Sequence, residues 1–147
     1  MEQATYHPFA DLIGLRFDEY GADSSVCSLE ITERLLNPHH VAHGGVLYSM
    51  ADTGMGAALY PSLVEGELCA TIEIKIAYFR PVTRGRIVCR TQVAHRGRRT
   101  AHLESEIRSG DALVAKATGS YAIFRPEGRA GLGNAADTTA LGRESGR

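Results

Sequence analysis

The sequence predicts an α+β fold in which a curved antiparallel sheet wraps around one long central helix. Three observations predict it: one long apolar segment of helical character, alternating polar and apolar segments after it, and short turn signals between those segments. Strands joined by short turns run antiparallel. A helix that is apolar on most faces buries its circumference only if a sheet curves around it.

The first predicted elements precede the long helix. Residues 6–14 carry apolar side chains at helical spacing and end at a glycine, which predicts a short helix. Two strands joined at residues 21–24 then form a hairpin. The long helix is predicted over residues 45–59, and we expect it to be buried nearly all round, with Gly54 and Gly56 allowing close approach to the sheet.

Four alternating segments follow the helix, and we expect them to form strands in hairpin succession: residues 72–78, 87–93, 103–107 and 113–123. In the first of them, Ile72, Ile74 and Ile76 share one face. Strict alternation places Thr71 on the opposite face.

Length and composition indicate one soluble domain. The chain has 147 residues, 44% of them hydrophobic and 22% charged, with a formal net charge of -1 at pH 7. This balance gives no overall attraction to nucleic acid or to an anionic membrane, so neither is expected as a partner. We expect the domain to occupy residues 5–125 and a flexible, glycine-rich tail to occupy residues 126–147.

The N-terminus and the cysteines favour a cytoplasmic location. No basic segment followed by an apolar stretch is visible at the N-terminus, so no signal peptide is predicted. Cys27, Cys69 and Cys89 form an odd set without CxxC spacing, which is typical of reduced thiols. One small domain also has little room for a deep pocket of its own.

Asp52 is the first candidate for chemistry. It is the only charged residue in the apolar run from His43 to Pro61. Burying an unpaired carboxylate costs considerable free energy, so Asp52 either serves as a general base or nucleophile, or it faces solvent or bonds to a backbone amide.

Gly44 is the second candidate. It stands at the predicted helix start, where unpaired N–H groups and the helix dipole can stabilise an oxyanion, although a plain loop-to-helix junction has the same pattern. His43 and Asn37 flank this point and can donate hydrogen bonds to the same carbonyl. Gly44 and Asp52 are eight residues apart, about 12 Å along a helix. On one helix they cannot both reach one carbon atom, but two helices that run antiparallel across a two-fold axis could bring Gly44 of one subunit beside Asp52 of the other, so a combined site would belong to a dimer.

Two motifs carry a resemblance to a known family. The first runs Asn37-x5-His43-Gly44-Gly45-x6-Asp52, and the second is IKIAYFRP at residues 74–81. They resemble the PaaI-like (phenylacetate-degradation) family of hotdog-fold acyl-CoA thioesterases over about residues 10–124. The resemblance implies a hotdog fold, a dimer joined sheet edge to sheet edge, usually a tetramer, and hydrolysis of an acyl-CoA thioester without metal or separate cofactor.

The resemblance also implies roles for individual residues. Asp52 matches the catalytic carboxylate, and Gly44 matches the backbone amide that polarises the thioester carbonyl. His43 and Asn37 match residues that assist in binding the carbonyl or a water molecule. Thr71 falls where relatives often carry a Ser or Thr that orients the hydrolytic water, although a threonine in a strand also reflects simple strand propensity.

Three arginines are candidates for binding the phosphates of coenzyme A. Arg98 and Arg99 lie in a predicted hairpin turn, and Arg80 lies after the strand in the second motif. Guanidinium groups recognise phosphate well, although a basic turn is also common as a solvated strand connection. A metal site formed by His39, His40 and His43 is a weaker alternative, since no cysteine or carboxylate ligand accompanies them.

Two other functions on the same fold stay open at this stage. One is a non-catalytic acyl-CoA-binding sensor, which would bind its ligand without releasing free thiol. The other is a hydroxyacyl-thioester dehydratase, which would form an enoyl product. The spacing of the Asp52 motif fits the thioesterase pattern better than the dehydratase pattern.

Overall fold

The structure, a computed structural model, describes residues 7–126. Its elements are α1 (Pro8–Ile13), β1 (Arg16–Gly21), β2 (Ser24–Ile31), α2 (Gly44–Leu59), β3 (Leu68–Tyr78), β4 (Gly85–Arg96), β5 (Thr100–Ser109) and β6 (Ala112–Phe124). The predicted short helix, first hairpin and long helix are all present. The predicted tail lies outside the described residues except for Pro126.

The six strands form one antiparallel sheet in the order β1-β2-β4-β5-β6-β3. The fold class predicted from the sequence is therefore confirmed. The prediction that β3 and β4 form a hairpin is wrong, because β3 pairs with β6 at the edge of the sheet. Both sides of β4 are occupied by β2 and β5. The link between β3 and β4 is tied to the segment before α2, where the Ala42 N–H donates to the Val82 carbonyl at 2.7 Å.

The core lies between α2 and one face of the sheet. Met50, Met55 and Leu59 of the helix are fully buried there. The helix approaches the sheet closely at Gly54, where an added Cβ would lie 2.9 Å from the Thr91 Oγ1 atom. The same expectation for Gly56 is wrong, since an added Cβ there would meet nothing within 4 Å.

One face of α2 is left uncovered by the sheet. Gly45 and Tyr48 are exposed, and Asp52 and Gly56 are half-buried. The expectation of a helix buried nearly all round is therefore wrong for a single chain. The reason is geometric: a single curved sheet covers the helix from one side only, and small or polar residues occupy the other side.

A β-bulge interrupts the alternation of β3. Thr71 pairs with Tyr121 and Glu73 pairs with Ser120, which leaves Ile72 as an extra residue without a partner of its own. Ile72 is 59% exposed, so its predicted place on the inner face is wrong. Residues opposite each other in a ladder share a face. The bulge therefore turns Thr71 towards the helix side, where strict alternation would have turned it away.

The three cysteines are free thiols, with Cys27 and Cys89 buried and Cys69 half-buried. A hydrogen bond with Cys89, together with burial, raises the pKa of the Cys27 thiol. Within residues 7–126, no helix is both long and apolar enough to cross a membrane. The cytoplasmic location stays a prediction.

Candidate active site

The Asp52 carboxylate is held by two side-chain hydroxyls from the sheet. Thr71 Oγ1 donates to Asp52 Oδ1 at 2.8 Å, and the Tyr121 hydroxyl donates to the same oxygen at 2.6 Å. The Tyr121 hydroxyl also lies 2.9 Å from the backbone carbonyl oxygen of Asp52. The two hydroxyls hold the carboxylate in place. Because Asp52 is only half-buried, on the uncovered face of α2, a ligand can still reach the carboxylate.

Tyr121 is a residue that sequence reasoning missed as part of the site. It reads as an ordinary inward residue of β6, and it is 2% exposed. Burial raises the pKa of its phenol, and the hydrogen bond to Asp52 raises it further, so the phenol keeps its proton and donates. The signal that identifies Tyr121 is its cross-strand position opposite Thr71, which depends on the bulge and on the pairing of β3 with β6.

The N-terminus of α2 forms the second part of the site. His43 is the N-cap residue, and its Nδ1 accepts the Gly45 N–H at 2.9 Å. A ring nitrogen that accepts a hydrogen bond carries no proton, so the N–H of this imidazole is at Nε2. Among residues 7–126 the Gly44 N–H has no acceptor, so it can donate to a ligand at the positive end of the helix dipole.

Tyr78 packs directly against Gly44. Its hydroxyl donates to the Gly44 carbonyl at 2.8 Å, and a Cβ added at Gly44 would lie 3.2 Å from the Tyr78 Cζ and hydroxyl atoms. Burial raises the pKa of the Tyr78 phenol, and the nearby Tyr48 raises it further. Glycine is therefore the residue that lets the Tyr78 ring approach the start of α2.

Asn37 holds the loop that precedes α2. Its Oδ1 accepts the backbone N–H of His39 at 2.9 Å and lies 3.4 Å from the N–H of Val41. Within the described part of the chain its Nδ2 has no acceptor, so this group is available as a donor. The loop hydrogen bonds also leave His39 and His40 exposed.

A cavity of about 310 Å³ lies beside Gly44. Its lining is mainly apolar with one guanidinium, and it comprises Val41, Ala42, Gly44, Leu47, Tyr78, Phe79, Arg80, Pro81 and Val82. The structure therefore brings Arg80 next to the Gly44 part of the site. Such a lining suits an apolar group that carries a negative charge at one end.

Arg98 and Arg99 lie well apart from Arg80 along the sheet. Both are exposed in the turn between β4 and β5, and the Arg99 carbonyl accepts the Ile123 N–H at 2.8 Å. That hydrogen bond places the turn beside the C-terminal end of β6, two residues beyond Tyr121. The basic turn is thus on the Asp52 side, whereas Arg80 is on the Gly44 side.

The sequence-predicted residues form two groups that one chain does not bring together. Thr71 contacts Asp52 in the second half of α2, while His43 and Gly44 lie at its N-terminus and Asn37 lies in the loop that precedes it. We name these groups the carboxylate half-site and the amide half-site. Over residues 7–126, no group of three or more His, Cys, Asp or Glu side chains is arranged to hold a metal ion.

The family model of the thioesterase superfamily matches residues 39–116, which contain His43, Gly44, Asp52 and Thr71. The chain belongs to the thioesterase superfamily. By family it is a thioester hydrolase, as the sequence predicts, and its six-stranded sheet with one long helix is the hotdog fold.

Individual relatives place this thioesterase more narrowly. It is 36% identical to a conserved protein of Pseudomonas aeruginosa, with a TM-score of 0.78 over 81% of this chain and 95% of that chain. It is 30% identical to a mutant of the phenylacetic acid degradation protein PaaI from Thermus thermophilus, with a TM-score of 0.75 over 79% and 98% of the two chains. A Pseudomonas aeruginosa protein with esterase in its name is 31% identical over 116 residues, which span 78% of this chain and 87% of that protein. The predicted resemblance to PaaI-like thioesterases is confirmed.

Proposed function

We propose that this thioesterase hydrolyses an acyl-CoA thioester to a free acid and coenzyme A. The observation that carries the proposal is the Asp52 carboxylate, anchored at Oδ1 by Thr71 and Tyr121 on an uncovered helix face. Thiolate is a good leaving group, so the reaction needs a base or nucleophile and an oxyanion donor more than a strong acid. Both groups are present in the chain, and the coenzyme A portion of the substrate is the only cofactor involved.

The amide half-site is suited to bind the thioester carbonyl. The Gly44 N–H is unpaired and lies at the positive end of α2, where negative charge develops on the carbonyl oxygen during attack. The His43 Nε2–H and the Asn37 Nδ2 are further donors that can bind the same oxygen or a water molecule. These groups stabilise the tetrahedral intermediate without taking part in bond formation.

Two routes are open to Asp52. As a general base, it takes a proton from water while the water oxygen bonds to the acyl carbon, and the tetrahedral intermediate then breaks its C–S bond and releases the coenzyme A thiolate, which takes up a proton. As a nucleophile, it bonds to the acyl carbon itself, the C–S bond breaks to release the coenzyme A thiolate, and water then hydrolyses the resulting anhydride to the free acid and the Asp52 carboxylate. Recovery of ¹⁸O in Asp52 after a single turnover in ¹⁸O-labelled water would identify the second route, because only an anhydride attacked at the Asp52 carbonyl carbon leaves the label there.

The complete site requires two chains. Gly44 and Asp52 lie eight residues apart on one helix, or about 12 Å, so they cannot reach one acyl carbon together. The edge strand β3 leaves Ile72 and Tyr78 at least half exposed, which favours pairing with the same edge of a second copy. In such a dimer each site takes its carboxylate half-site from one chain and its amide half-site from the other. Further association into a tetramer, which the family resemblance implies, is not needed to complete a site.

Arg80, Arg98 and Arg99 are proposed to contact the phosphates of coenzyme A. Arg80 lies beside the amide half-site, and the basic turn lies beside the carboxylate half-site. Because a complete site combines the two, the arginines of both chains flank one substrate. Guanidinium groups suit the pyrophosphate and the 3′-phosphate through paired hydrogen bonds.

The test is Asp52→Asn, which keeps the size of the side chain and removes its charge. We expect kcat for thiol release across an acyl-CoA panel to fall by about 10²- to 10⁴-fold. The matched control is Asp11→Asn, which changes an exposed carboxylate on α1 and is expected to leave kcat unchanged. Wild-type turnover in Asp52→Asn would contradict the assignment.

Thiol release, measured together with acyl-CoA binding and with analysis of the product, separates hydrolysis from the sensor and dehydratase functions. Acyl-CoA binding by the wild-type protein without release of thiol would favour a sensor. Formation of an enoyl thioester from a hydroxyacyl thioester would favour a dehydratase. Either result would replace hydrolysis as the function of this fold.

A further inference from the structure

The two oxygens of the Asp52 carboxylate are in different surroundings. Oδ1 accepts hydrogen bonds from both Thr71 and Tyr121, at 2.8 Å and 2.6 Å. No residue in the described range 7–126 donates to Oδ2. Each oxygen of an ionised carboxylate accepts about two hydrogen bonds. Oδ1 is therefore fully occupied, whereas Oδ2 is available.

We propose that Tyr121 is a positioning residue: with Thr71 it fixes Oδ1 and thereby makes Oδ2 the oxygen that acts on water or on the acyl carbon. The inference rests on the proposed function and adds to it a residue and an atom. Tyr121 itself does not touch the substrate. It acts by restricting the torsion of the Asp52 side chain.

The surroundings of Tyr121 suit this role better than those of Thr71. Tyr121 is 2% exposed and lies on β6, which pairs with strands on both sides. Its hydroxyl reaches both Oδ1 and the backbone carbonyl of Asp52, so it relates the carboxylate to the helix that carries it. Thr71 lies exposed on the edge strand and has more freedom to move.

Orientation of a reacting group contributes strongly to rate. A carboxylate that rotates freely presents either oxygen, at varying angles, to the acyl carbon. A displacement of about 1 Å at a reacting group can cost on the order of 100-fold in rate. Loss of the Tyr121 hydroxyl should therefore lower kcat, while the binding of coenzyme A, which is proposed to depend on the arginines and not on Asp52, should stay the same.

The experiment compares Tyr121→Phe with Ser25→Ala in the full-length protein. Ser25 donates its buried hydroxyl to the Gly54 carbonyl of α2 at 2.7 Å, so its loss removes a similar bond to the helix without touching Asp52. We expect Tyr121→Phe to lower kcat roughly 10- to 100-fold with KM within about 3-fold of wild type. Ser25→Ala should lower the melting temperature by about as much as Tyr121→Phe does, but it should keep wild-type kcat.

A double-mutant cycle with Thr71→Val tests whether the two hydroxyls serve one atom. If both fix Oδ1, the double variant should lose less than the product of the two single losses. Tyr121→Phe keeps the buried ring, so we expect it to fold, as circular dichroism and melting would show. If Tyr121→Phe does not fold, the Thr71→Val variant takes its place. Thr71 is an exposed position on β3, and the kcat of this variant still measures the effect of removing a donor from Oδ1.

The outcomes separate this inference from the proposed function. Absence of thiol release by the wild-type protein would overturn the proposed function, whatever Tyr121 does. An active wild type, an inactive Asp52→Asn and a Tyr121→Phe variant with wild-type kcat would overturn only the inference. A Tyr121→Phe effect confined to KM, or equal effects of Ser25→Ala on kcat, would also overturn it.

Discussion

Gly44 shows how much the absence of a single methyl group can determine. An added Cβ would lie 3.2 Å from the Tyr78 ring and hydroxyl, closer than side chains ordinarily pack. Gly44→Ala should therefore displace Tyr78 and crowd the N–H that is proposed to bind the thioester carbonyl. We expect kcat/KM to fall by about 10- to 100-fold, somewhat less than the loss of a whole oxyanion donor.

The control for this change is Gly21→Ala. A Cβ at Gly21 meets nothing within 4 Å, and the residue lies on β1, away from both half-sites. It should keep the kcat/KM of the wild type. Equal activity of Gly44→Ala and Gly21→Ala would mean that the start of α2 does not approach the substrate.

Single residues also show how far the sequence predicts the site. Asp52 stands out as the one charge in an apolar helix, and Gly44 stands out by its place at the helix start. Tyr121 has no such local signal, because an inward tyrosine on a strand usually belongs to the core. Its contact with Asp52 spans 69 residues of sequence and depends on strand pairing. The periodicity of the two strands does not reveal that they pair.

At the level of elements, α2 packs against the sheet through Gly54. An added Cβ there would lie 2.9 Å from Thr91 Oγ1, beneath the middle of the helix. We expect Gly54→Ala to lower the free energy of unfolding by about 1–3 kcal/mol, because either the helix or Thr91 must shift. Denaturant unfolding monitored by circular dichroism measures the change.

Gly56→Ala is the matched comparison on the same helix. No atom lies within 4 Å of an added Cβ at this position. Alanine favours the helix over glycine, so this change should be neutral or raise the free energy of unfolding by up to about 1 kcal/mol. Destabilisation by Gly56→Ala as large as that by Gly54→Ala would show that packing against the sheet is not the cause.

The elements themselves are more predictable than their connections. Periodicity identifies α2 and all of the strands, because burial of one face imposes a period on the sequence. It does not reveal the bulge at Ile72, since an isoleucine fits the inner face as well as an exposed edge. It also does not reveal that β3 crosses to β6, because a turn signal at residues 84–85 looks the same before a hairpin and before a crossover.

At the level of the whole molecule, a site that takes Gly44 from one chain and Asp52 from the other predicts that two impaired chains can complement each other. A dimer of Asp52→Asn with Gly44→Ala contains one site that combines the intact Gly44 of the first chain with the intact Asp52 of the second. Random reassociation of equal amounts makes half of the dimers mixed, so activity should rise to about one quarter of the wild-type value. Thiol release after joint unfolding and refolding measures it.

The control is a mixture in which both changes affect the carboxylate half-site. Asp52→Asn and Thr71→Val leave every possible site with a damaged carboxylate half-site, so mixing should give no gain over the parent proteins. A gain in this mixture, or none in the first, would contradict a site shared between chains.

Gly44 and Asp52 lie on one helix, so residues 44–52 fix the distance and the relative orientation of the two half-sites. An α-helix advances about 1.5 Å and turns about 100° per residue. Inserting one residue in this interval would therefore swing the carboxylate away from its two hydroxyl partners and also alter its distance from the amide. A change in the length of a surface loop would not have this effect, because such a loop does not set the distance between Gly44 and Asp52. The proposed mechanism thus requires the length of this interval to stay fixed.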